Sequence, residues 1–213
     1  MKQILLMIAV VALVGCGKKP AEEPVFDQGR PDITKPSKSP AKTEAQIEAE
    51  NKAFAEAKAK AEAGDAMAQF DLVFMYQYGK GVEQDSKEAF KWCQKAADQG
   101  DGMAQTNLGF MYSRGEGVEQ DFKEAIKWYQ KAADQGYEKA QFNLGFKFYK
   151  GQGLEKNYAT AYAWVSIAAA NGLEIAKEAT SIIAKEMTSA QIAKAEELVK
   201  EMVKKNPKLL NKE

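Results

Sequence analysis

Histidine is absent from the 213 residues, and cysteine occurs twice, at Cys16 and Cys93. The first absence removes the side chain that most often serves as general base and as zinc ligand. The second leaves no material for a disulfide framework or a thiolate metal cluster. Neither sign of charge is in excess, with 30 Lys and Arg against 30 Asp and Glu. A neutral chain is poorly suited to nucleic acid, whose phosphates call for a basic surface. Long apolar runs are missing too. The longest, Ile4–Val14, falls short of the roughly 18 residues that span a bilayer.

That run has another use. Lys2 supplies a positive start, the apolar stretch suits the core of a secretory signal, and LVGC comes next at Leu13–Cys16. This tetrapeptide resembles the lipobox of bacterial lipoproteins. The resemblance implies a signal peptide over 1–15, cleavage before Cys16 and a lipid on that cysteine. Gly17 stands where enteric-type sorting places an aspartate for inner-membrane retention, which implies delivery to the outer membrane. Proline is scarce except in the next stretch, where Pro20, Pro24, Pro31, Pro36 and Pro40 are five of the chain's six. Residues 16–42 therefore read as an extended, disordered tether.

The body of the chain is periodic. Thr43 with Gln46 makes a capping box and opens an Ala/Glu/Lys helix over 43–64. Three units of 36 residues come next, at 65–100, 101–136 and 137–172. The first two share 26 of 36 letters and the last two share 14. Each unit reads as two helices. In the first, Ala68, Leu72, Met75 and Tyr76 mark one face of helix A, while Ala89, Trp92, Cys93, Ala96 and Ala97 mark helix B. The joint between them is GKGVEQD, with Gly79 and Gly81 to stop helix A and Asp85 to cap helix B. Cys93 lies where Tyr129 and Val165 lie in the other units, so it reads as core filler. A second capping box, Thr188 with Gln191, opens a last helix running to about Lys205.

In the second unit the landmarks are Ala104, Leu108, Gly109, Tyr112, Gly115, Gly117, Val118, Asp121, Ala125, Trp128, Ala132, Ala133 and Gly136. This spacing resembles the Sel-1-like repeat, a relative of the tetratricopeptide repeat. The resemblance covers 65–172 and implies an all-α fold, a right-handed α-solenoid of helix-turn-helix repeats. The segments 43–64 and 173–213 then serve as helical caps. Unit one departs with Val73 where the pattern has glycine.

Helix A carries a second stripe that its own helix B does not need. It holds Met67, Phe70, Phe74, Gln77 and Tyr78 in unit one, then Met103, Thr106, Phe110, Ser113 and Arg114, then Lys139, Phe142, Phe146, Tyr149 and Lys150. By resemblance to tetratricopeptide arrays, Phe70, Phe74, Tyr78, Thr106, Phe110, Arg114, Phe142, Phe146, Tyr149 and Lys150 line a concave groove for a partner segment. Units one and two each carry four basic and six acidic residues, and unit three carries four and two. An acidic end of a ligand is therefore expected near Lys139, Lys147 and Lys150. No catalytic, cofactor or metal constellation is found in the sequence. The expectation is a non-enzymatic, membrane-anchored scaffold binding an envelope or host protein. The rival readings are a peptidoglycan-directed enzyme or enzyme subunit and a glycan-binding module.

Overall fold

The computed structural model describes residues 42–210. The signal segment, Cys16 and the stretch up to 41 lie outside the described residues, as do 211–213. In chain order the helices are α1 (Glu44–Glu62), α2 (Ala66–Tyr78), α3 (Ser86–Asp98), α4 (Gly102–Arg114), α5 (Phe122–Asp134), α6 (Glu138–Lys150), α7 (Tyr158–Ala170), α8 (Glu174–Lys185) and α9 (Ser189–Lys205). A 3-10 turn, Pro207–Leu209, comes last, and no strand occurs among the described residues. Each helix from α1 to α7 packs on the next, which makes the array an all-α solenoid of helical repeats.

Helix starts and stops are set locally. Thr43 and Thr188 form the two expected capping boxes with Gln46 and Gln191. Asp85 accepts from the amides of Lys87 and Glu88, and Asp121 repeats this with Lys123 and Glu124. At the far end of the A helices, Gly79, Gly115 and Gly151 adopt the left-handed conformation that ends them. Gly117 has a further constraint. A Cβ there would lie 2.0 Å from the carbonyl oxygen of Ser86, so this turn presses directly on the preceding helix B. Gly81 stands in the same relation to Glu50, which places α1 in the position of a helix B. The edge-on ring pairs agree, since Phe54–Tyr76 is repeated 36 residues on as Phe90–Tyr112.

Within each pair the helices meet through matched volumes. A Cβ on Gly109 would come within 2.8 Å of the Tyr129 ring, and one on Gly145 within 2.7 Å of Val165. In the same register, unit one sets Val73 against Cys93, and both are fully buried. The larger residue has moved from helix B to helix A, so the missing glycine does not loosen the packing.

A buried amide ladder joins the units. Gln69, Gln105 and Gln141 donate to the carbonyls of Ala61, Ala97 and Ala133. Their own oxygens accept from Gln99, Gln135 and Asn171. At the third rung, the Leu209 carbonyl accepts from both Gln141 and Asn171, at 2.8 and 2.7 Å. The 3-10 turn thus closes the ladder, while α9 packs on α7. Ala163 and Ile167 on α7 are fully buried, where units one and two have exposed Lys91, Lys95, Lys127 and Lys131. Val199, Met202 and Val203 of α9 pack against the cluster that holds Ile167.

Candidate functional face

The exposed large apolar side chains among the described residues are Ile47, Met67, Phe74, Tyr78 and Met103. Four of these five lie on α2 and α4, at positions of the second stripe. Burying apolar area is worth about 25 cal/mol per Å2, so a row of uncovered rings and thioethers on the repeat's own frame calls for an explanation.

Along α2 the rings form a ladder. Phe70 meets Phe74 edge-on at 5.0 Å, and Phe74 lies parallel to Tyr78 at 6.3 Å. The same i, i+4 step recurs with different chemistry in the next units. The Arg114 guanidinium lies over the Phe110 ring at 5.4 Å, and the Lys150 ammonium over Phe146 at the same distance. A constant phenylalanine therefore carries Tyr, Arg and Lys in turn. Arg114 also pairs with Glu116 at 3.1 Å.

At unit three the face gains residues from outside helix A. Tyr149 packs beside Phe146 and Tyr158, and the Lys150 and Lys156 ammonium groups lie 5.6 and 5.7 Å from its ring centre. Burial pushes the Tyr149 hydroxyl up, with Glu186 adding to the effect. The hydrogen bond to Tyr158 holds Lys156 protonated above its ordinary range. Lys156 and Tyr158 were not among the expected site residues. The signal was a broken pattern, since positions 84, 120 and 156 read Gln, Gln, Lys. In the first two units this glutamine closes the turn by donating to the carbonyls of Gln77 and Ser113.

Two expectations need correction. Phe142 is only 4% exposed, so its ring is covered and not open to a partner, whereas Phe70 and Thr106 at the same register are half-buried. Lys147 is 1% exposed and its ammonium donates to Ser113 and Gln152, so it does not meet a ligand's acidic end. Ser113 and the Gln77 amide are likewise buried and belong to the packing. Phe70, Thr106, Phe110, Phe146 and Tyr149 are half-buried, and Arg114 and Lys150 are exposed. The Thr106 hydroxyl is committed to the Gly102 carbonyl at 2.7 Å. Among the described residues no group of three His, Cys, Asp or Glu could hold a metal ion, and no helix is long and apolar enough to cross a membrane.

The Sel1 repeat model matches residues 66–101, 102–137 and 138–173, in the same register as the helix pairs α2/α3, α4/α5 and α6/α7. The chain belongs to the Sel1 repeat family. It is similar in structure to a Sel1 repeat protein from Oxalobacter formigenes, with 40% identity and a TM-score of 0.55. That match covers 60% of this chain and 96% of the other. It is also similar to c5321, a protective antigen of uropathogenic Escherichia coli strains with an SLR fold, at 30% identity and a TM-score of 0.56. There the match covers 74% of this chain and 42% of the antigen. No curated protein matches the chain. Sel1 repeat proteins are generally protein-interaction scaffolds.

Proposed function

We propose that this Sel1 repeat protein is a non-enzymatic scaffold that docks a partner segment on the α2/α4/α6 face. We further propose that a lipid on Cys16 anchors it at a bacterial envelope membrane, the outer membrane in the first instance. The supporting observation is the contrast between two sets of positions. Packing residues repeat from unit to unit, whereas the exposed row reads Tyr78, Arg114, Lys150 over a constant phenylalanine. Variation confined to one face of a repeated frame is where a partner can be specified. Aromatic residues and arginine are also the types enriched at binding hot spots.

The enzymatic alternative would need a carboxylate held protonated beside this face. Asp134 is raised by burial, but it ends α5, where Gln130 bonds its side chain and Asn206 its carbonyl. It therefore does not serve the α2/α4/α6 face. The glycan-binding reading keeps one observation in its favour, the parallel stack of Phe74 on Tyr78.

Photo-crosslinking in cells tests the proposal, with a photoreactive residue at Arg114 or Tyr149 and a control at Lys91 on α3. Discrete protein adducts at the first two positions alone are expected. Adducts only at Lys91, or only with glycan strands, would overturn the docking role. The anchor is tested separately by Cys16→Ser, which is expected to release the protein from the membrane fraction.

A further inference from the structure

The α2/α4/α6 face is not uniform along the repeats, and the difference points to one kind of occupant. We propose that the docked segment is an extended peptide with apolar side chains over units one and two and acidic side chains over unit three. This rests on the docking role proposed above and adds the chemistry of what docks.

Units one and two present thioethers and rings to solvent, with Met67 at 74% and Met103 at 52% exposure beside Phe74 and Tyr78. Methionine adapts its shape to irregular apolar partners, and the ring ladder of α2 supplies a firm surface next to it. In unit three Phe146 keeps its ring on the face, while residues around it become cationic or buried. Lys139 replaces the methionine, Lys150 replaces the tyrosine, and Phe142 is buried.

On this face the cation of unit two, Arg114, has a carboxylate partner in Glu116. Neither Lys139 nor Lys150 forms an ion pair among the described residues. Lys150 rests on the rings of Phe146 and Tyr149, and Lys156 on those of Tyr149 and Tyr158. A ring face compensates only part of an ammonium charge and leaves its outward side for a carboxylate. Three acidic groups bear on this end: Glu138 beside Lys139, Glu155 beside Lys156, and Glu186 near Tyr149 and Lys156. Lys139, Lys150 and Lys156 stand against them, while Lys147 is buried and takes no part.

Length is set by the frame. Packed helices lie about 8–10 Å apart, so three successive A helices span roughly 20 Å. At about 3.3 Å per residue, an extended segment of roughly six to eight residues covers them.

The test uses fluorescence anisotropy on the intact chain in detergent, with two fluorescein-labelled synthetic octapeptides. Both carry leucine and phenylalanine in one half; the other half carries aspartates in the first peptide and lysines in the second. The aspartate peptide is expected to bind at least tenfold tighter, with a preference that shrinks as salt rises. In a Lys139→Glu, Lys150→Glu variant the ranking should reverse; both residues are exposed, and an unchanged melting curve would confirm the fold. Equal binding of the two peptides, or no binding of either at millimolar concentration, overturns this inference. If crosslinks still form at Arg114 and Tyr149 in that case, the docking role stands and only the stated chemistry fails. Loss of both results removes the docking role itself.

Discussion

The Lys147 ammonium on α6 donates to the Ser113 hydroxyl on α4 at 2.6 Å, and both residues are 1% exposed. The same ammonium meets the Gln152 amide oxygen at 3.0 Å and lies 4.8 Å from the centre of the Phe122 ring. Units one and two have Met75 and Met111 at this position, which only fill space. In unit three the position has become a polar tie between neighbouring repeats. Ser113→Ala removes one acceptor from a buried charged donor, and a loss of about 1.5–3 kcal/mol is expected. Lys147→Met removes the charge together with its bonds and restores the residue of the other units, so it is expected to cost less. Urea unfolding at unchanged slope would report both values, and the opposite ranking would sink the argument.

Two glycines separate backbone strain from steric contact. Gly100 and Gly117 both have positive φ, but a Cβ on Gly100 meets nothing within 4 Å, whereas one on Gly117 strikes the Ser86 carbonyl oxygen. Gly100→Ala should therefore cost only the left-handed backbone penalty, about 1–2 kcal/mol. Gly117→Ala should cost at least twice as much, because the turn must also withdraw from α3. Melting temperatures of the two variants decide this, and equal shifts would mean the turn is not pressed against the helix.

The repeat frame was legible because the residues that build it act locally. Asp85 and Asp121 cap helices through their own neighbours, and Gly79 and Gly115 end helices through their own φ angles. Such effects can be read from a few consecutive letters. The face was harder. Phe142 and Phe146 belong to one helical stripe, yet one is buried and the other half-exposed, and periodicity alone does not distinguish them. Lys147 misled for a related reason. A charged letter suggests solvent, and only the neighbouring helix, through Ser113, shows that it points inward. The exchange of Val73–Cys93 for Gly109–Tyr129 was legible as a pair but not as a lone departure from the pattern.

Cys93 carries a pH prediction. Burial pushes its thiol well above the ordinary range, slightly offset by Asn107 and reinforced by Asp101, and its Sγ lies 3.3 Å from the Ala104 carbonyl oxygen. The folded state therefore holds this proton at pH values where the unfolded chain releases it. Stability is full below the unfolded thiol's pKa of about 8.5 and falls as pH rises above it, by up to about 1.4 kcal/mol per pH unit. Cys93→Val, which copies Val165, should remove that alkaline slope. In a Cys16→Ser background the native thiol should resist a disulfide reagent at pH 8 and react once unfolded. Rapid reaction of the folded protein would contradict the assigned burial.

The cap can be probed through Ile167, the α7 counterpart of Lys95 and Lys131. Those lysines are exposed, with their ammonium groups over the rings of Trp92 and Trp128 at 3.9 and 3.8 Å and no helix above them among the described residues. Ile167 is fully buried, and α9 with its 3-10 turn is fastened nearby through Leu209 and Asn206. Ile167→Lys would thus place an ammonium under α9, where the loss of hydration costs several kcal/mol unless the helix moves away. The less costly response is local: α9 lifts, while the units before it keep their ladder and turns. Limited proteolysis should then cut the variant between α8 and α9, near Met187 and Thr188, at protease levels that leave the unaltered chain intact. Removal of α9 with retention of most helical circular dichroism would establish it as a separable cap. Global unfolding instead would show that closure of the Gln141–Asn171 rung by Leu209 is needed by the whole stack.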